Sequence, residues 1–230
     1  GDIIRFPGGG GDGDRNPGEG APGYGDILRR YRLGLAVGLA SVVMLFVSFT
    51  SAYVVRQGLG TWDPRTGGYI SDWQAIPLPT VLLVLNTLIL LVSSFTIEKA
   101  RRHAARQAAL APVTAMPGIS AGVEKPMPWL AITVVLGFGF LLGQALAWRQ
   151  LQLGGVHIST GPASSFFYVL TGAHGIHLAG GVLALLYAAA TSLLRKPLET
   201  RRLVVDVTAW YWHVMLLLWL YVFALLEFAK

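Results

Sequence analysis

The chain has 230 residues, of which 53% are hydrophobic and only 13% charged. That is about half the charge of a typical soluble domain, too little to cover a water-facing surface. It contains no cysteine, which excludes disulfides, thiolate-bound zinc and thiolate-held iron–sulfur clusters. The formal net charge of +6 is placed along the chain as membrane-orienting charge, not as a nucleic-acid-binding patch.

In chain order, Gly1–Gly25 is rich in glycine and proline, carries mixed charges and has no periodicity. Such a segment buries too little apolar surface to offset the entropy of ordering. Residues 1–25 are therefore expected to form a flexible tail, and residues 26–230 a membrane domain. No basic stretch followed by an apolar leader is read in the tail.

Five apolar blocks follow, at Leu33–Val55, Leu78–Ile97, Pro128–Trp148, Ala163–Leu194 and Leu203–Phe228. Each is long enough to cross a bilayer, which takes about 20 residues per helix. Backbone polar groups in lipid must be satisfied within the segment, so the expected fold is all-α, a bundle of five transmembrane helices. The fourth block carries an internal Gly180–Gly181 pair, yet two crossings would need about 40 residues. One tilted helix is predicted, with Pro162 in its first turn, where proline is tolerated.

The basic residues divide unevenly between the two ends of these spans. Fourteen lie in the tail and in the second and fourth connections, among them Arg29, Arg30, Arg32, Arg101, Arg102, Arg201 and Arg202. The other side has four: Arg56, Arg65, Arg149 and Lys230. The positive-inside rule then puts the N-terminus in the cytoplasm and the C-terminus outside. Trp62, Tyr69, Trp73, Trp129 and Trp148 fall near the predicted boundaries, where amphipathic rings prefer to lie. Gly34 with Gly38, and Gly139 with Gly143, have the spacing that lets helix backbones approach closely, although glycine is in any case common in membrane helices.

Intramembrane polar residues are costly and so mark places to look for function. The inventory is short: Asn86 and Thr87 in the second span, Gln144 in the third, His174 and His177 in the fourth, and His213 in the fifth, with Asp206 and Glu227 near the fifth span's two ends. No charged residue sits at a predicted helix centre, so an ionisable relay of the kind pumps use is not expected. His174 and His177, three residues apart, share a helix face, and His213 is a candidate to join them. Three such imidazoles suit a metal or a haem; they equally suit hydrogen bonds between helices or contact with lipid headgroups.

The segment Phe166–Phe167–Tyr168–Val169–Leu170–Thr171–Gly172–Ala173–His174–Gly175–Ile176–His177 resembles the FF-x-x-TG-x-HG-x-H signature of cytochrome c oxidase subunit III. About thirty residues later, Asp206–Val207–Thr208–Ala209–Trp210–Tyr211–Trp212–His213 resembles that family's acidic-x-x-x-WYWH motif, and Trp219 and Tyr221 continue the likeness. Leu85–Asn86–Thr87 with Ser93–Ser94, and Gln144, are similar to further family positions. The resemblance covers Leu33 to Phe228 and is to the five-helix form of the family.

That resemblance implies an accessory subunit of a respiratory haem-copper terminal oxidase, in a bacterial-type inner (cytoplasmic) membrane. The expected partners are the catalytic subunit I, which carries the haems and copper, other oxidase subunits, and membrane phospholipid. No catalytic residue, metal ligand or cofactor is expected on this chain. A haem-copper centre with a second haem takes six histidines and the chain has five. His174, His177, Asp206, Trp210, Tyr211 and His213 are expected to organise helices or hold lipid headgroups, with Asn86, Gln144, Gly139 and Gly143 at helix contacts. Two carboxylates that the family often carries are replaced here, by Val42 and Leu216. An accessory role in a nitric oxide reductase, and an independent haem b-binding membrane protein, are the alternative readings.

Overall fold

The computed structural model describes residues 24–70, 73, 76–114, 128–194 and 196–228. Five long helices account for most of them: α1 Tyr24–Gly58, α2 Thr80–Thr114, α3 Pro128–Leu153, α4 Pro162–Leu193 and α5 Leu198–Phe228. All five are long and apolar enough to cross a membrane. The tail expected over Gly1–Gly25 lies outside the described residues, except that Tyr24 and Gly25 open α1.

Two helices run well past their apolar blocks. The stretch after Ile97 reads Glu98–Lys99–Ala100–Arg101–Arg102–His103–Ala104–Ala105–Arg106, mostly strong helix formers. Glu98 pairs with Arg101 and Arg102 at i+3 and i+4, a spacing that supports a helix. The helix therefore continues where an apolar count stops, and ends within a turn of Pro112. At 1.5 Å per residue its 35 residues reach about 52 Å, against a hydrocarbon core of about 30 Å. In the same way α1 takes in Arg29, Arg30 and Arg32. Much of what looks like connection in the sequence is thus helical extension beyond the apolar core.

The fourth block is a single helix. Its first turn holds Pro162, and the Ser164 hydroxyl accepts from the Gly161 N–H at 3.0 Å. Between α1 and α2 stands a short antiparallel hairpin, β1 Thr61–Asp63 with β2 Gly68–Ile70, pairing Trp62 with Tyr69. Gly67 closes its turn at φ 64, a left-handed conformation that glycine adopts without steric cost. The Asp63 carboxylate accepts from the Arg65 N–H and the Thr66 hydroxyl.

Helices α2 to α5 form one body: α3 packs between α2 and α4, and α5 lies across both α2 and α4. The core within it holds Leu90, Ile97, Phe140, Leu170, Leu178, Leu185, Trp212 and Trp219, all fully buried. Helix α1 stands apart: among the described helices it packs against α4 and α5. In its most apolar stretch 6% of residues are buried, against 33–44% in the other four.

Candidate functional site

Helices α2 and α5 run antiparallel, and polar residues recur along the face each turns to the other. Trp219 Nε1 donates to Thr87 Oγ1 at 2.9 Å. Two turns along, Trp212 Nε1 donates to Ser93 Oγ at 3.1 Å, and His213 Nδ1 lies 2.5 Å from Ser94 Oγ. With its ring proton on Nε2, His213 accepts from Ser94 and turns its N–H toward Glu98 Oε2, 3.6 Å away. Trp212, Trp219 and His213 of α5 thus each meet a hydroxyl of α2, which matters in lipid because an unpaired donor there is costly.

The seam ends in a charge network. Arg32 of α1 grips Asp206 through Nε to Oδ2 at 3.0 Å and Nη2 to both carboxylate oxygens at 3.0 and 2.8 Å. Arg101 Nη1 donates to Asp206 Oδ1 at 3.3 Å. The same guanidinium binds Glu98 at 2.8 and 3.0 Å, and Arg102 adds a bond to Glu98 at 2.8 Å. Three helices are therefore joined by one chain of charge-assisted bonds, stronger than neutral ones. Asp206 and Glu98 are mostly enclosed, with side-chain exposures of 12% and 21%. Beside them a cavity of about 260 Å³ is lined by Arg32, Arg101, Arg102, Arg202 and Asp206, so cations outnumber carboxylates on its walls.

Trp212 lies between three helices as well. A Cβ at Gly137 of α3 would come within 2.9 Å of its ring, and one at Gly181 of α4 within 3.1 Å of it and 2.9 Å of Tyr211. Absent side chains at those two positions create the slot the indole fills. Tyr211 is fixed alongside by donating its hydroxyl to the His177 carbonyl at 2.7 Å.

The three membrane histidines do not converge. His174 is fully buried, with Phe140 at 5.8 Å and Trp219 at 5.1 Å. His177 donates through Nδ1 to its own helix at Ala173 O, 2.7 Å, and faces Phe46 of α1 at 6.0 Å. His213 belongs to the α2 seam. Among the described residues no group of three or more His, Cys, Asp or Glu side chains is placed to hold a metal ion. Trp210 is 47% exposed, its ring 6.0 Å from the Arg32 guanidinium. Gly143 is pressed against the Asn86 side chain and a Cβ at Gly139 would come 4.0 Å from Ile89, whereas one at Gly34 or Gly38 would meet nothing within 4 Å among the described residues.

Arg32, Glu98, Arg101 and Trp212 are the members of this site that a reading by hydropathy passes over. Arg32, Glu98 and Arg101 fall outside the apolar blocks. The signal that finds Glu98 and Arg101 is the Glu98–Arg101–Arg102 spacing, which continues α2. Trp212 is visible within its motif, but nothing in the sequence singles it out from Trp210.

Five helices long and apolar enough to cross a membrane, three of them joined by a polar seam and a charge network, define the class of an integral, multi-pass membrane protein. The chain matches the family described as cytochrome c oxidase subunit III over residues 25–229, and it belongs to that family. It is 28% identical over 200 residues to the probable cytochrome c oxidase subunit 3 of Mycobacterium leprae, covering 86% of this chain and 87% of that one. It is 31% identical to cytochrome c oxidase subunit 3 of Synechocystis, over 91% of this chain and 79% of the relative. The subunit 3 of Triticum aestivum is also 31% identical, with 84% of this chain matching 66% of that longer protein.

Proposed function

We propose that this chain serves a haem-copper terminal oxidase of a bacterial-type inner membrane as its accessory subunit III, bracing the catalytic subunit I and holding phospholipid, without a redox group of its own. The family match across nearly the whole membrane domain carries this reading. Its five helices and its near-complete overlap with mycobacterial relatives support the five-helix form. In this reading the haems and copper belong to the partner subunits, the N-terminus faces the cytoplasm, and Asp206 with its arginines forms the cytoplasmic end.

Lipid is assigned to that end. The cavity at Asp206 has four arginines on its walls, and guanidinium forks suit a phosphate. Trp210, half exposed beside Arg32, offers an interfacial ring to the same lipid. Holding α1 against α5 through Arg32 and Asp206 shapes the face available to a partner.

The test is gentle detergent purification through a tag on this chain, with identification of co-purifying subunits, an optical spectrum and oxygen consumption. Co-purification of a haem-copper subunit that reduces oxygen is the expected result. A nitric oxide reductase core in its place moves the assignment to that complex. A partner-free protein with a Soret band that disappears in His213→Ala supports an independent haem protein, and a colourless, partner-free protein ends the accessory-subunit reading.

A further inference from the structure

One group of polar side chains stays out of the α2–α5 seam. Asn86 of α2, Gln144 of α3 and His174 of α4 are 1%, 3% and 0% exposed. Five of their polar atoms are buried without a hydrogen-bond partner: Asn86 Nδ2, Gln144 Nε2 and Oε1, and His174 Nδ1 and Nε2. Packing brings them to one layer of the bundle. His174 lies against Phe140, one helical turn before Gln144 on α3. Gly143, the neighbour of Gln144, lies against the Asn86 side chain. The Trp219 ring meets Phe140 edge-on and His174 at a tilt, and its Nε1 bonds Thr87, next to Asn86.

We propose that this layer is an internal hydration site, in which Asn86, Gln144 and His174 share one or more bound water molecules in the middle of the bundle. Buried polar side chains are almost always paired, to protein or to ordered water. The chemistry of the set selects water. Two amide NH₂ groups and one imidazole N–H donate, while the Gln144 oxygen and the second imidazole nitrogen accept. A bridging molecule here must therefore both accept and donate, and water with two to four polar partners does so. A metal cation is disfavoured because three of the five atoms belong to neutral amides, two of them NH₂ donors, and among the described residues no group of three or more His, Cys, Asp or Glu side chains is placed to hold one. The aromatic rings of Phe140 and Trp219 close the layer toward α5 and leave no room to read the set as a surface feature.

A density map of the full chain in its native membrane assembly, at a resolution that shows ordered water, tests this. Expected is density within hydrogen-bond distance of a His174 ring nitrogen and of the Gln144 amide. A His174 ring bonded directly to the Gln144 amide, with nothing between, overturns the proposal. So does a map that shows ordered water elsewhere in the bundle and none in this layer. As a second arm, Gln144→Leu removes two of the five atoms. Loss of the density with α3 and α4 unmoved supports the shared site. Unchanged density in Gln144→Leu overturns the part given to Gln144. A Gln144→Leu/His174→Phe double variant, apolar on both sides, should melt above Gln144→Leu alone, and a lower melting temperature counts against the shared site.

Discussion

Trp212 shows how much a single side chain can carry in lipid, where apolar burial alone gives helices little reason to associate. Its indole touches α3 at Gly137 and α4 at Gly181 and bonds α2 at Ser93. Trp212→Ala empties a slot that backbone on two sides cannot collapse into, and should cost about 3–5 kcal/mol. Trp212→Phe keeps most of the volume and loses only the interhelical bond, worth roughly 1 kcal/mol. Equilibrium unfolding in mixed micelles separates the two values. Asp206 is the second such residue. Asp206→Asn leaves Arg32 and Arg101 facing a neutral amide and should destabilise the bundle by about 1–3 kcal/mol. The same unfolding assay checks it, with Glu199→Gln as a control on the same helix. These contacts were partly legible beforehand. The WYWH run flags its own importance, but which of its rings faces inward depends on how α5 is rotated, and that is set by neighbours distant in sequence.

At the scale of the helices, glycine placement decides which pairs approach. Gly181 and Gly175 are six residues apart on α4, yet a Cβ at Gly181 meets Tyr211 and Trp212 at 2.9–3.2 Å while one at Gly175 meets nothing within 4 Å. Gly181→Ala should therefore destabilise by about 1–3 kcal/mol through overpacking. Gly175→Ala should be neutral or stabilising by up to about 1 kcal/mol, because alanine loses less backbone entropy in a helix. Thermal melting of the two variants side by side reads the difference, and equal melting temperatures would contradict the packing described here. Sequence spacing alone treats Gly34 and Gly139 alike as candidate packing residues. Only the fold shows Gly139 against α2 and Gly34 open. The helix ends were less legible still, since hydropathy measures what lipid accepts and the extension of α2 past Ile97 is held by helix propensity and by ion pairs.

For the whole molecule, orientation gives the most direct experiment, and the lack of native cysteine makes it clean. Arg65→Cys, exposed in the hairpin turn, and Ala109→Cys, exposed on the α2 extension, sit at opposite ends of the bundle. An impermeant maleimide applied to intact cells should label the first and reach the second only after permeabilisation; the reverse pattern would invert the topology. The number of helices, their membrane character and the uneven charge at their two ends follow from the sequence alone, because each depends on local composition and a bilayer selects by length and hydropathy. Family membership was legible for a similar reason: two long motifs stand at fixed spacing within the chain. Tertiary structure decided the rest. It separated three histidines that spacing had left free to meet, it set α1 apart from the four-helix body, and it drew Arg32, Arg101 and Asp206 into one network. Those outcomes depend on the rotation and tilt of each helix against its neighbours, which are fixed by side chains more than a hundred residues apart and so are written in no local stretch of sequence.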